Sequence, residues 1–202
     1  MLNRFRGVLT RVMTPLAELL LRRGVSPDAV TVTGTVAVVV AALWLFPTGH
    51  LLAGAIVISV FVLTDSLDGT MARRSGRSGS WGAFLDSTLD RFADAAIFSG
   101  LVLWYSGRGD DRLTATLALA CLVLGAIVPY ARARAEGLGM TAAVGIAERA
   151  DRLFAVLVAT LLVGAGLPRG VLTIMLALLA VASAVTIVQR MATVRRQAGV
   201  GP

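Results

Sequence analysis

Residues 51–91 read LLAGAIVISVFVLTDSLDGTMARRSGRSGSWGAFLDSTLDR and hold two apolar segments joined by a short arginine-rich turn. Each segment is long enough to cross a bilayer hydrocarbon core, which is about 30 Å thick. Acidic residues nevertheless lie inside both segments, at Asp65, Asp68, Asp86 and Asp90. On insertion scales a carboxylate at the centre of a membrane helix costs roughly 2.5 to 3.5 kcal/mol. We therefore expect these side chains to face a polar cavity rather than lipid.

The spacing of the four aspartates places each pair on one helical face. Asp65 and Asp68 are three residues apart and Asp86 and Asp90 are four apart, and both spacings bring side chains together on a helix. The short turn predicts antiparallel helices, so both pairs should lie at the same membrane depth. Four neighbouring carboxylates repel one another unless some are protonated or a cation lies between them. Hard divalent cations prefer such oxygen ligands, and the chain has only one histidine and one cysteine.

The composition indicates a membrane protein. Of 202 residues, 56% are hydrophobic and 15% are charged, with a mean hydropathy of +0.80; soluble domains carry roughly 25% charged residues. All 19 basic residues are arginines, and they lie mainly at the ends of apolar runs, as expected beside anionic headgroups. No polar surface with interleaved basic and aromatic residues is evident, so nucleic acid is not an expected partner.

The apolar runs predict an all-α integral membrane protein with six transmembrane helices and an N-terminal amphipathic interfacial helix. Residues 1–24 form the juxtamembrane amphipathic helix, because their apolar residues recur on one helical face. Residues 25–202 form the six-helix membrane domain. Its fifth segment is short and is expected to begin upstream, near Val144. The predicted spans are residues 29–46, 51–72, 81–105, 113–131, 153–167 and 171–188.

The arginines predict the orientation of the chain. Fifteen of the 19 lie in the amino terminus, the turn after the second span, the loop before the fifth span and the carboxyl tail. Loops rich in arginine stay cytoplasmic. Both termini and the acidic site should therefore face the cytoplasm, and six spans satisfy that parity.

The acidic segment matches a known signature. The pattern Asp65-x2-Asp68-Gly69-x2-Ala72-Arg73-x8-Gly82-x3-Asp86-x3-Asp90 resembles, at all eight fixed positions, that of the CDP-alcohol phosphotransferases. The resemblance implies transfer of the phosphatidyl group of CDP-diacylglycerol to a small alcohol, with release of CMP. It also implies two divalent cations, Mg²⁺ or Mn²⁺, membrane lipids as surroundings, and a homodimer.

Carried over by position, the resemblance implies roles for individual residues. Asp65, Asp68 and Asp86 would bind the cations, and Asp90 would assist as a ligand and act as general base on the acceptor hydroxyl. The CDP-lipid would contact Asp28, Thr31, Gly69, Ala72, Arg73 and Gly82. Local alternatives remain for two of these features: Pro27-Asp28 is also a plain helix start, where Asp28 could act as the cap, and the glycines suit helix packing. Asp94, outside the motif, is expected to line the cavity or pair with a cation.

A cluster of arginines bears on the identity of the alcohol. Its members lie at the cytoplasmic ends of the last three spans and suit an acceptor that carries phosphate: Arg132, Arg134, Arg149, Arg152 and Arg190. The arrangement is similar to that of actinobacterial phosphatidylinositol-phosphate synthases, whose acceptor is inositol 1-phosphate, which implies a bacterial cytoplasmic membrane. Arg195 and Arg196 compete with Arg190 for this role. The alternatives are glycerol 3-phosphate as the acceptor, or arginines that only bind anionic lipid.

Other classes of membrane protein also contain intramembrane aspartates. An ion-coupled transporter would spread them toward the midplane and provide a path to the far side. A polyprenyl transferase would use acidic pairs with magnesium but would lack the interleaved glycine, alanine and arginine. The aspartates of this chain cluster at one end of two spans, which favours the transferase.

Overall fold

The computed structural model describes residues 14–74, 79–146 and 148–199, without the side chains of residues 63–70 and 72–74. Within these residues all regular secondary structure is helical, which confirms the predicted all-α class. A first helical stretch, α1, covers residues 14–22. The helices that follow are α2 (Pro27–Leu45), α3 (Leu51–Arg74), α4 (Ser80–Ser106), α5 (Arg112–Glu136), α6 (Arg149–Gly164) and α7 (Gly170–Gln197).

The predicted apolar segments correspond to α2 to α7 in order. Two helices run farther than their apolar runs, because α5 continues to Glu136 and α7 to Gln197. The α5 extension, residues 132–136, consists of arginine, alanine and glutamate, and the α7 extension is rich in arginine and glutamine; all of these are good helix formers. Hydrophobicity therefore predicts the part of each helix that suits lipid. In α5 and α7, residues of high helix propensity continue the helix beyond that part.

The expected start of the fifth segment near Val144 is wrong. Helix α6 begins at Arg149, and residues 140–146 contain no helix. Gly145 has a φ of +145°, which is incompatible with a helical turn. The next backbone N–H, that of Ile146, donates to Thr186 Oγ1 at 3.2 Å. Side chains of α7 therefore bind backbone groups of this segment that a helix would have bonded internally.

Residues 140–146, here called the strap, run in extended form along the end of α7. The Thr141 N–H donates to Gln197 Oε1 at 2.9 Å, and the Gln197 amide donates back to the Thr141 carbonyl at 2.6 Å. Farther along, Arg190 Nε donates to the Val144 carbonyl at 2.9 Å. Three extended residues and seven helical residues each span about 10 Å. The two backbones therefore stay in register as they run antiparallel.

Three described helices, α2, α5 and α7, are long and apolar enough to cross a membrane. Before residues 63–70, whose side chains are not described, α3 has an apolar stretch, Leu51–Val62. Helix α6 has 16 residues, a length of about 24 Å, and α4 carries four charged side chains within residues 86–94. The chain is thus an integral membrane protein, and the count of six spans stays a prediction.

The amino-terminal helix packs on the protein through one face. Ala17 is fully buried against Met71, and the residues that complete this cluster are Leu20, Leu21 and Val30. Leu16 and Leu19 remain exposed. Residues 1–13 of the predicted amphipathic helix lie outside the described residues. For the part described, α1 buries one apolar edge on α2 and α3 and leaves another uncovered, and its position in the headgroup plane stays a prediction.

The chain divides into two compact units: residues 1–41 with 56–93, and residues 42–55 with 94–202. The first contains the aspartates of the signature, and the second contains the arginine cluster. Within the second unit helices approach closely at glycines, because a Cβ at Gly100 would overlap the Ala42 carbonyl and one at Gly164 would overlap the Leu52 backbone. Small residues permit such close contact between membrane helices.

Candidate active site

The acidic face of α4 is accessible. Asp86 is exposed, and the side chain of Asp90, one turn later, retains 20% of its accessibility. Arg91 Nη2 lies 3.7 Å from Asp90 Oδ2 and forms an ion pair with it. Asp86 and Asp90 therefore lie on one helical face, as predicted, and both carboxylates are accessible to solvent or a ligand.

The other half of the signature lies on α3, whose backbone is helical through Arg74. The side chains of Asp65, Asp68, Ala72 and Arg73 lie outside the described residues, as does the surface of Gly69. Among the described side chains, which do not include Asp65 and Asp68, no three histidine, cysteine, aspartate or glutamate residues come close enough to share a metal ion. The meeting of all four carboxylates stays a prediction.

Asp28 is not the cap of α2. The hydroxyl of Ser26 accepts a hydrogen bond from the Ala29 N–H at 3.2 Å, which makes Ser26 the capping residue, with Pro27 at the first helical position. The Asp28 carboxylate instead accepts a hydrogen bond from the indole Nε1 of Trp81, at 3.0 Å. Of the two interpretations left open by the sequence, the structure contradicts capping.

Two further predicted CDP-lipid residues are described. Thr31 is half-buried, and its hydroxyl donates to the Pro27 carbonyl at 3.2 Å. At Gly82 no described atom would lie within 4 Å of an added Cβ. The described atoms leave space at this glycine, and both interpretations of it, the approach of a ligand and helix packing, stay predictions.

In the second unit, Arg149 and Arg152 converge on Asp94. Arg149 Nε lies 3.0 Å from Asp94 Oδ1, and Arg152 Nη2 lies 3.8 Å from Asp94 Oδ2. Arg152 retains only 3% of its accessibility, whereas the Arg149 side chain retains 23%. Arg152 Nη2 also donates to the Gly125 carbonyl at 3.4 Å. The expectation that Asp94 pairs with a positive charge is confirmed, since its partners are the guanidinium groups of Arg149 and Arg152.

Arg190 is held by backbone carbonyls. Its Nε donates to Val144 in the strap, and its Nη1 donates to Val128 in α5. The residue retains 7% of its accessibility, so this guanidinium joins three elements of the unit. A structural role is thereby present, and contact with an acceptor stays a prediction.

The remaining two arginines of the cluster lie on the exposed surface of α5. Arg132 Nε donates to Glu136 Oε1 at 2.8 Å, and both side chains are half exposed. Arg134 is also exposed. The five arginines therefore differ in environment: two lie at a surface, while Arg149, Arg152 and Arg190 are partly or fully enclosed.

Sequence reasoning missed Trp81 and Gly125. Trp81 immediately precedes a glycine of the signature, but the partner of its indole lies 53 residues away. A signal for Gly125 was present, since Pro129 follows four residues later in the same helix and proline removes the N–H that would bond that carbonyl. Neither partner could be identified without the tertiary structure.

Comparison with known proteins shows a family and its relatives. The family model for CDP-alcohol phosphatidyltransferase matches residues 24–188. The chain is 50% identical over 204 residues to the phosphatidylinositol phosphate synthase of Streptomyces avermitilis, a match that covers 98% of this chain and 84% of that protein. It is 48% identical to the phosphatidylinositol phosphate synthase of Cutibacterium acnes, over 97% of this chain and 98% of that protein.

Solved structures give the same likeness. The crystal structure of Mycobacterium tuberculosis phosphatidylinositol phosphate synthase with CDP-DAG bound superposes with a TM-score of 0.88 at 44% identity, covering 92% of this chain and 94% of that one. The structure of the same enzyme in complex with manganese and citrate gives a TM-score of 0.87, covering 90% and 88% of the two chains. The likeness in both sequence and fold spans most of the chain.

Proposed function

Because this chain belongs to the CDP-alcohol phosphatidyltransferase family, we propose that it transfers the phosphatidyl group of CDP-diacylglycerol to inositol 1-phosphate. The products are phosphatidylinositol phosphate and CMP. The observation that carries the choice of acceptor is near full-length identity of 48% and 50% to two enzymes named phosphatidylinositol phosphate synthase. The enclosed arginine pair of the second unit supports it, because guanidinium groups suit phosphate.

The donor set of the signature fits a divalent cation. Asp86 and Asp90 offer accessible carboxylate oxygens on one face of α4, and such ligands suit Mg²⁺ or Mn²⁺. In our proposal Asp65, Asp68, Asp86 and Asp90 hold two of these cations. When bound, the cations supply positive charge that stabilises the pyrophosphate and the departing CMP.

The chain's own residues bind the lipid and move a proton. Asp90 accepts the proton of an inositol hydroxyl, and that oxygen attacks the phosphorus next to diacylglycerol. The bond from this phosphorus to the bridging oxygen breaks, and CMP leaves. The lipid's cytidine and phosphates contact Asp28, Thr31, Gly69, Ala72, Arg73 and Gly82. The space that the described atoms leave at Gly82 supports this placement.

The acceptor phosphate is bound by arginines of the second unit. We assign Arg149 and Arg152 the central part, because both are enclosed and share one carboxylate. Arg132, Arg134 and Arg190 complete the set. Arg195 and Arg196 lie in the last turn of α7 and are exposed. Burial therefore favours Arg190 over these two as the acceptor ligand from α7.

The placement in the cell belongs to the same proposal. The chain would cross the bacterial cytoplasmic membrane six times, with both termini and the active site on the cytoplasmic side. The excess of arginine at one set of helix ends supports that orientation. A homodimer is the expected assembly.

The acceptor is tested with purified enzyme, CDP-diacylglycerol and a divalent cation, by measuring CMP release with inositol 1-phosphate or glycerol 3-phosphate. We expect release with inositol 1-phosphate and a phosphatidylinositol phosphate product. A preference for glycerol 3-phosphate would replace the proposed acceptor. Absence of CMP with either alcohol would overturn both proposed acceptors.

The role of Asp90 has its own test. Asp90→Asn should lower CMP release by at least about 100-fold, the range of a lost general base. Ser87→Ala is the matched control, because Ser87 is exposed on the same helix and, among the described residues, its hydroxyl donates to the Phe84 carbonyl of its own turn. Turnover of Asp90→Asn close to that of the control would refute the assignment.

A further inference from the structure

We propose that Asp94 is a positioning residue for the acceptor site: it holds Arg149 and Arg152 in the orientation that receives the acceptor phosphate. The Gly125 carbonyl, freed by Pro129, assists it at Arg152. Asp94 lies outside the eight-residue signature, and the assignment rests on the proposed function. It adds a specificity-determining group to the reaction rather than another ligand.

The geometry that carries the proposal is one carboxylate shared by two arginines. Asp94 Oδ1 lies 3.0 Å from Arg149 Nε, and Oδ2 lies 3.8 Å from Arg152 Nη2. The Asp94 side chain retains 12% of its accessibility. Each oxygen faces a different guanidinium, so the carboxylate fixes the spacing between the two arginines as well as the orientation of each.

The two arginines start from the same helix face. Arg149 and Arg152 are three residues apart on α6, so their side chains emerge on one side. Two positive charges at that distance repel one another, and an enclosed guanidinium without a counter-charge is costly. Asp94 offsets both effects. The group of three keeps a net charge of +1, which still attracts a phosphate.

Helix α5 provides the second contact through a gap in its own hydrogen bonding. In a regular helix the Gly125 carbonyl accepts from the N–H of residue 129, but Pro129 has none. An unsatisfied carbonyl is costly inside a membrane. Arg152 Nη2 donates to this carbonyl at 3.4 Å. The guanidinium lies directly beside Gly125, since an added Cβ there would be 3.8 Å from Arg152 Nε, an ordinary van der Waals distance.

The consequence for function is preorganisation. Ordering a long side chain on binding costs conformational entropy, and here the two arginines are ordered before the acceptor arrives. Binding of the acceptor should therefore depend on Asp94, whereas binding of CDP-diacylglycerol should not. A merely structural role would instead change stability or both substrates together.

The test measures KM for each substrate in Asp94→Asn, with kcat and the unfolding midpoint in detergent. We expect KM for inositol 1-phosphate to rise about tenfold, the equivalent of about 1.4 kcal/mol, and KM for CDP-diacylglycerol to change by less than about twofold. Asp151→Asn is the matched control, because Asp151 lies between the two arginines on α6 but is exposed. The control should keep both KM values of the wild type.

Pro129→Ala tests the same site from α5. The restored N–H competes for the Gly125 carbonyl, so KM for the acceptor should rise by about threefold, less than for Asp94→Asn because a carbonyl has a second lone pair. Equal increases in both KM values, unchanged KM values, or a change in kcat alone would overturn the proposal for both variants. If Asp94→Asn fails to fold, Pro129→Ala decides.

A wrong acceptor and a wrong role for Asp94 give different results. If the wild type uses glycerol 3-phosphate instead of inositol 1-phosphate, the proposed acceptor is wrong. The same KM values, measured with glycerol 3-phosphate, then still decide the role of Asp94.

Discussion

At the scale of single residues, Trp81 has a chemical role that its exposure conceals. Its ring is 61% exposed, as expected for an interfacial anchor, but its indole N–H donates to Asp28. Trp81→Phe keeps the aromatic surface and removes the donor. We expect KM for CDP-diacylglycerol to rise by about three- to tenfold, the range for a lost hydrogen bond to a charged group. Steady-state CMP release at varied lipid concentration measures it.

Trp44→Phe is the matched control for that prediction. Trp44 is similarly exposed, at 67%, and no hydrogen bond of its indole is among those described. The control should leave KM for the lipid unchanged. Equal effects of the two substitutions would mean that Trp81 acts only as an interfacial anchor.

The sequence predicts some contacts of the candidate site and not others, for a physical reason. Asp86 and Asp90 belong to one helix, so their spacing alone places them on one face. Asp94 and Arg149 are 55 residues apart, and their pairing depends on how two helices cross. Periodicity within one helix contains no information on that crossing. The pairing of Asp94 with a cation could be predicted, but its partners could not.

At the scale of helices and loops, the amino terminus of α5 couples stability to pH. Hydrogen bonds from the Thr114 backbone and hydroxyl hold the pKa of Asp111 below its ordinary value of 3.8. The ionised cap therefore favours the folded state above pH 3.8, and this contribution is lost as pH falls through the lowered pKa. Asp111→Asn should be less stable than wild type at neutral pH, by less than about 1 kcal/mol because asparagine also caps helices. The difference should shrink on acidification.

Unfolding midpoints of wild type and variant at a series of pH values test that prediction. Asp110→Asn is the control, since Asp110 is exposed and has a φ of 43°, which asparagine tolerates. The control should follow the wild type at every pH. A gap between wild type and Asp111→Asn that widens toward low pH would contradict the assigned sign.

The strap predicts a second effect at this scale. Gly145 has a φ of +145°, and an added Cβ would overlap the Thr186 side chain. Gly145→Ala should therefore destabilise the protein by more than the roughly 1 to 3 kcal/mol of backbone strain alone. The measurement is the unfolding midpoint in detergent.

Gly139→Ala isolates the strain from the steric contact. Gly139 has a φ of +75°, but no described atom would lie within 4 Å of its Cβ. It should therefore lower the midpoint less than Gly145→Ala does. Equal losses would mean that packing of the strap on α7 contributes nothing.

The strap also shows where sequence-based assignment of helices fails. The segments that became α2, α5 and α7 are continuous apolar runs, and lipid as solvent permits few structures for such runs other than helices. Residues 140–146 are also largely apolar, but their backbone groups are bonded by Gln197, Arg190 and Thr186 of α7. Those partners lie 40 or more residues away, so no local pattern marks the strap as non-helical.

At the scale of the whole molecule, the distribution of arginine predicts the topology. With six crossings, Arg23 and Ala198 lie on the cytoplasmic side and Arg108 lies outside, because fifteen of the 19 arginines flank the inner helix ends. The chain's one cysteine, Cys121, is buried and its thiol donates to the Leu176 carbonyl. A Cys121→Ala background therefore permits single-cysteine labelling at the loops.

In intact cells a membrane-impermeant maleimide should label Arg108→Cys but neither Arg23→Cys nor Ala198→Cys. All three positions are exposed, so permeabilisation should allow each to react. Opposite accessibility of Arg23→Cys and Ala198→Cys in intact cells would require an odd number of crossings. Labelling of both Arg23→Cys and Ala198→Cys without permeabilisation would mean that the orientation is the reverse of the predicted one. The acidic face of α4 would then lie outside the cell, away from a cytoplasmic supply of the acceptor.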